Sequence, residues 1–160
     1  MHRATLVALC ALTIAACSPG GGNGSAAARF ESRSGTQVTG SASFTEKDGK
    51  VDIVLNVKAL PAGKHGVYIH EKGDCSGSNA AAVGKRFAPG GEARAGVLGD
   101  IEGGDKGNGS LVISLDKITV FPGDSSIMDR SIVISGDPDN PQLKQTFGII
   151  ACGVIGVPVD

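Results

Sequence analysis

The feature that most constrains this chain is a hydrophobic period of two, interrupted by glycine-rich turns. Val38, Ala42 and Phe44 recur at even spacings, as do Val51, Ile53, Leu55 and Val57, and then Leu111, Ile113 and Leu115. Strand side chains point to opposite faces in turn, so each run places its apolar members on one face and polar ones on the other. Between the runs stand Asp48-Gly49, Pro61-Ala62-Gly63, Asn108-Gly109 and Phe121-Pro122-Gly123, all residues that turn a chain. Continuous helical periodicity is nearly absent beyond the N-terminus. This pattern predicts an all-β fold, a sandwich or flattened barrel of short antiparallel strands. With aromatic residues at 4% and no tryptophan, Val, Ile and Leu must build the core, and 160 residues suffice for one domain.

The N-terminus reads differently. Arg3 gives a charged start, and residues 4–16, ATLVALCALTIAA, are almost wholly apolar. That run is too short to span a bilayer stably and reads as a secretory signal over residues 1–16. Its end, Ile14-Ala15-Ala16-Cys17, resembles the bacterial lipobox, in which the cysteine is acylated and becomes the new first residue. An ordinary signal cut nearby, with Cys17 incidental, is the alternative. Residues 17–35 are then expected to be a lipidated cysteine and a flexible tether, opening with SPGGGNGSAAA at 18–28, and residues 36–160 the folded domain. The expected location is the bacterial cell envelope, facing the periplasm. Ser18 after the cysteine suits outer-membrane sorting, by resemblance to lipoproteins.

Charge excludes one class of partner. Removing residues 1–16 takes away Arg3 alone, so 15 basic residues become 14 against 16 acidic ones. No nucleic-acid partner is expected from that balance. A phosphate-binding loop and a recognisable nucleophile motif are also absent from the sequence.

The segment GKHGVYIHEKGDC, residues 63–75, carries the chemistry. Val67 and Ile69 would enter the core, leaving Tyr68 and His70 on the outer face. Two histidines at those positions would form an H-x-H pair converging on one metal ion. The segment resembles the copper-binding strand of the copper–zinc superoxide dismutase family, with tyrosine in place of one ligand. IACGVIG at 150–156 resembles that family's C-terminal strand. SSIMDRSIVI at 125–134 resembles the strand leading to another copper histidine, and LGD at 98–100 the turn bearing the zinc aspartate. The match runs over about residues 36–156 in family order, and its bacterial, periplasmic type fits best.

The resemblance implies a Greek-key flattened barrel of about eight antiparallel strands. It also implies a copper ion held by four histidines, one of which bridges to a zinc completed by two more histidines and an aspartate. Carried over by position, the first copper histidine falls on Tyr68, the second on His70, the bridging one on Arg86 of RFAP and the last on Ser135. On the zinc side Asp100 matches the aspartate and Val97 stands in a histidine position, while the remaining zinc histidine has no counterpart. Only His70 and Asp100 survive as ligand types. Two lone ligands build neither a tetrahedral zinc site nor a four-nitrogen copper site. A count agrees: the chain has three histidines, His2, His65 and His70, and His2 lies in the signal. His65 corresponds to a family residue that hydrogen-bonds within the barrel without ligating.

The family's substrate-guiding arginine, three residues before the last cysteine, falls on Ile149. Arg86 is read either as a solvated surface arginine or as filling the hole left by a cation and neutralising nearby carboxylates such as Asp100. Cys75 and Cys152 sit in the contexts of the family's half-cystines, which implies a disulfide; a two-cysteine metal site is the rival, with no spare histidine beside it. No catalytic residue and no resident copper or zinc are therefore expected. The favoured reading is a non-catalytic envelope lipoprotein with a binding or structural role. The alternative is an oxidoreductase that dismutes superoxide to hydrogen peroxide and oxygen through a rearranged copper or zinc site using Tyr68, His70 and a carboxylate. No aromatic cluster, basic patch or apolar stripe names a protein or small-molecule partner.

Overall fold

The computed structural model of the protein describes residues 23–136 and 148–159. The expected signal, Cys17, tether residues 18–22 and the segment 137–147 lie outside the described residues. Eight strands follow one another: β1 (Gly24–Ser32), β2 (Thr39–Lys47), β3 (Lys50–Lys58), β4 (Gly63–His70), β5 (Val97–Gly103), β6 (Gly109–Leu115), β7 (Ser131–Ser135) and β8 (Ile149–Val154). They form one antiparallel sheet in the order β5-β4-β7-β8-β1-β2-β3-β6, curled into a nearly closed barrel. The crossovers make this a Greek key, as the sequence predicts.

Alternation places the core where the pattern put it. Val38, Phe44, Val51, Ile53 and Leu55 are fully buried, and Ala42 and Val57 nearly so. Leu111, Ile113 and Leu115 are only partly buried, because β6 ends the sheet order and packs against β5 without completing a ladder. The β2–β3 hairpin turns on Asp48 and Gly49, whose φ values of 52° and 76° are both positive. A two-residue hairpin turn with that twist needs such residues, and Asp-Gly supplies them.

The expected tether is corrected by β1. Residues 24–32 pair with β2 from Gly24↔Glu46 to Phe30↔Gly40, and with β8 at Glu31↔Cys152 and Ser32↔Ala151. Ala26, Ala28 and Phe30 alternate into the core at 1%, 3% and 4% exposure. The folded domain thus begins at about residue 24, not 36.

Two long connections complete the barrel. Residues 116–130, between β6 and β7, are pinned by buried Glu46, whose carboxylate accepts hydrogen bonds from Thr119 Oγ1 and the Val120 amide, both at 2.7 Å. Residues 71–96, between β4 and β5, fold back alongside the end of β4, with backbone bonds from Phe87 to Ile69 O and from Ile69 to Gly96 O.

Candidate metal centre

Every position carried over from the family lies on or beside one outer face. Gly66, Tyr68 and His70 share that face of β4, since they are spaced by two. Val97 pairs with Tyr68 and Asp100 with Gly66 across the β4–β5 ladder, where a bulge sits between Val67 and Tyr68. Arg86 pairs with His70 in an isolated antiparallel bridge. Ser135, at the end of β7, donates from Oγ to the Gly66 carbonyl at 3.2 Å. The fold therefore assembles the place of a metal centre while supplying the wrong side chains.

His70 keeps one trait of a ligand. Its Nδ1 lies 2.9 Å from the Gly84 carbonyl. A carbonyl only accepts, so Nδ1 carries a proton, and in the neutral ring the lone pair is then on Nε2, the arrangement that orients metal-binding imidazoles. No second imidazole joins it. His65, the other described histidine, is fully buried between the Ser135 carbonyl at 3.0 Å from Nδ1 and the Pro61 carbonyl at 2.9 Å from Nε2. It is a structural tie inside the barrel, as the sequence implied. Among the described residues no three His, Cys, Asp or Glu side chains come together as a metal-holding group.

The position of the bridging ligand is taken by a cation. The Arg86 guanidinium carbon lies 4.0 Å from the centroid of the Tyr68 ring. Such stacks are worth about 0.5–1 kcal/mol at exposed sites, more when water is excluded. The expected pairing of Arg86 with Asp100 is not formed: Asp100 is exposed, and the ion pair found among the described residues joins Arg33 to Glu31. Arg86 is exposed, as the surface-arginine reading has it, and its partner is the Tyr68 ring, not a carboxylate. An aromatic ring two residues from the bridge was the available signal.

Tyr68 also fills space. With Cys75 and Ile149 it packs against a small cluster of Ala80, Val83, Val133 and Cys152. The ring leans over Gly66, where an added Cβ would stand 2.6 Å from Tyr68 Cζ. Copper and zinc do not fit this donor set. A phenol, a hydroxyl already donated to a carbonyl, and an exposed guanidinium stand at three imidazole positions.

The disulfide is formed. Cys75 and Cys152 are bonded, with Cα atoms 5.8 Å apart, so the two-cysteine metal reading is set aside. Arg33, which sequence reasoning missed, donates from Nε to the Cys75 carbonyl at 2.8 Å, from Nη1 to Ser32 O at 2.8 Å and from Nη2 to Glu31 at 2.9 Å. Nothing local in the sequence pairs residues 33 and 75. Beside the disulfide, hydrogen bonds from Ser76 hold the Asp74 carboxyl below its usual range.

Comparison with known proteins decides the family. Residues 38–155 match the family model described as copper/zinc superoxide dismutase (SODC), close to three-quarters of the chain. The chain belongs to that family. Its fold is similar to that of the crystal structure titled clock protein EA4, with a TM-score of 0.68 and 26% sequence identity, covering 84% of this chain and 94% of that one. Within the copper/zinc superoxide dismutase family this member departs at the metal centre itself, not at the barrel that surrounds it.

Proposed function

We propose that this protein is a non-catalytic member of the superoxide dismutase family, held at a bacterial envelope membrane by a lipid on Cys17 and serving there as a binding or structural domain. The observation that carries the reading is the occupancy of the copper ring: Tyr68, Arg86 and Ser135 replace three imidazoles, and the Arg86 guanidinium stacks on the Tyr68 ring. Dismutation needs a metal cycling between two oxidation states, at a potential set by its ligands. His70 Nε2 alone cannot hold such an ion. Fold membership by itself licenses no activity.

The apolar run before Cys17 and the disulfide both suit this placement, because a bond such as Cys75–Cys152 persists in an oxidising compartment and not in a reducing cytosol. The test has two arms. Mature protein assayed with added copper and zinc should show no dismutase turnover above that of the free metals; turnover proportional to protein would replace this reading with a rearranged enzyme site. In a bacterial host, globomycin or Cys17→Ser should leave an unprocessed or mislocalised precursor. Recovery of unacylated mature protein in the soluble periplasm of untreated cells would remove the anchor.

A further inference from the structure

The connection from β4 to β5, residues 71–96, contains only one-turn 3-10 helices, at Ala81–Val83 and Pro89–Gly91. A connection of that length with so little structure of its own must be anchored from outside. Backbone bonds run from the Glu71 amide to Lys85 O at 2.9 Å, from Lys72 to Val83 O at 3.0 Å, and from Phe87 to Ile69 O at 2.8 Å. Two side-chain stacks act on consecutive residues. Arg86 lies over Tyr68 of β4 at 4.0 Å, and Phe87, buried on the opposite face, lies beneath the Arg130 guanidinium at 3.7 Å. Arg130 in turn donates to Glu71 O at 3.0 Å and to Ser126 O at 2.6 Å. Extended backbone sends neighbouring side chains to opposite faces, so the segment is gripped from both sides at once.

Positions 68 and 86 are also two of the four that would share a copper ion in the family pattern. An ion bound by side chains from two segments ties those segments together, and its binding energy becomes folding energy. Here the tie between the same two positions is a guanidinium on a phenol ring. We propose that Arg86 is a resident organic cation that performs the loop-ordering task of the missing ion, and that the Arg86–Tyr68 stack, backed by Arg130–Phe87, makes the order of residues 71–96 independent of metal. The proposal deepens the metal-free reading and rests on it. Arg86 acts on the loop by position and charge and transforms no substrate.

Tyr68 is the one tyrosine and the chain has no tryptophan, so the near-ultraviolet tyrosine signal reports this ring alone. In mature protein with its disulfide intact, Arg86→Ala should diminish the tyrosine circular dichroism and speed hydrogen exchange at the Glu71, Lys72 and Phe87 amides about tenfold. The β2 and β3 amides should not change. Tyr68→Phe, which keeps a ring, should exchange like the wild type. Tyr68→Leu should match Arg86→Ala, and the double variant should be no worse than either single one. Should Arg86→Ala fail to fold, Arg86→Lys is read at the same amides and should be intermediate, since lysine keeps the charge without the planar face.

The wild type is measured in parallel with EDTA and with added zinc or copper. Unchanged loop exchange in all three supports the proposal. Wild-type-like exchange and dichroism in Arg86→Ala, with EDTA also without effect, would overturn the clamp and leave the metal-free reading standing. Loop protection that collapses in EDTA would overturn both.

Discussion

At the scale of single residues, the vacated centre is a set of substitutions that support one another. Tyr68 supplies a face for Arg86, Gly66 leaves room for the ring, and Ser135 ties back to the Gly66 carbonyl. Reversing one of them should accomplish little. Tyr68→His would place a second imidazole beside His70 Nε2 but leave the Arg86 cation above it, repelling any ion. Isothermal titration should show copper bound only weakly and displaced by EDTA. Tyr68→His, Arg86→His and Ser135→His together should retain copper through EDTA dialysis; equally tight binding by the single variant would show that Arg86 does not guard the position. The losses of ligand type were legible in the sequence, because a chain with three histidines cannot fill an imidazole-rich site. The pairing of Arg86 with Tyr68 was not, since it depends on the 71–96 connection pairing with the end of β4 at the register that sets Arg86 opposite His70.

At the scale of elements, β2 and β3 declared themselves by alternation, and their hairpin by Asp48-Gly49. β1 did not. Its inward residues Ala26, Ala28 and Phe30 sit in a stretch of glycine, serine and alanine that reads as linker, and small apolar residues give little periodic contrast. What makes it a strand is tertiary: it is the piece that joins β2 to β8 in the middle of the sheet order. A chain beginning at residue 23 should therefore fold to a single cooperative transition. One beginning at residue 36 should not, having lost a central strand and opened two edges. A native-like melt from the shorter chain would return residues 24–35 to the status of a tether. The disulfide belongs to this scale as well. It joins β8 to the 71–96 connection across a sequence separation of 77, for which chain-entropy reasoning gives at most about 4–5 kcal/mol. Reduction, or Cys152→Ser, should lower the thermal midpoint by well over 5 °C. A shift of only a degree or two would mean that the Arg33 and backbone anchors hold the connection without it.

At the scale of the whole molecule, the barrel is that of the superoxide dismutase family, and the chemistry that gives the family its name has lost its ligands. A core of Val, Ile, Leu, Ala and Phe fills this barrel, apart from the positions where the family's metal ligands would lie. Stability and catalysis are separable here because the ligand positions lie outside that core, on the outer face of β4, on its sheet neighbours and on the connection that pairs with its end. Substituting them costs the fold little once another tie, such as Arg86 on Tyr68, joins strand to connection. The central claim is that nothing on this face holds a metal. The most direct measurement is the copper and zinc content of mature wild-type protein, loaded with both ions and dialysed against EDTA, by inductively coupled plasma mass spectrometry. Well below one-tenth of an equivalent of either metal per chain is predicted, on the order expected for a single imidazole without partners. Close to one equivalent of copper or zinc, surviving the chelator, would contradict it.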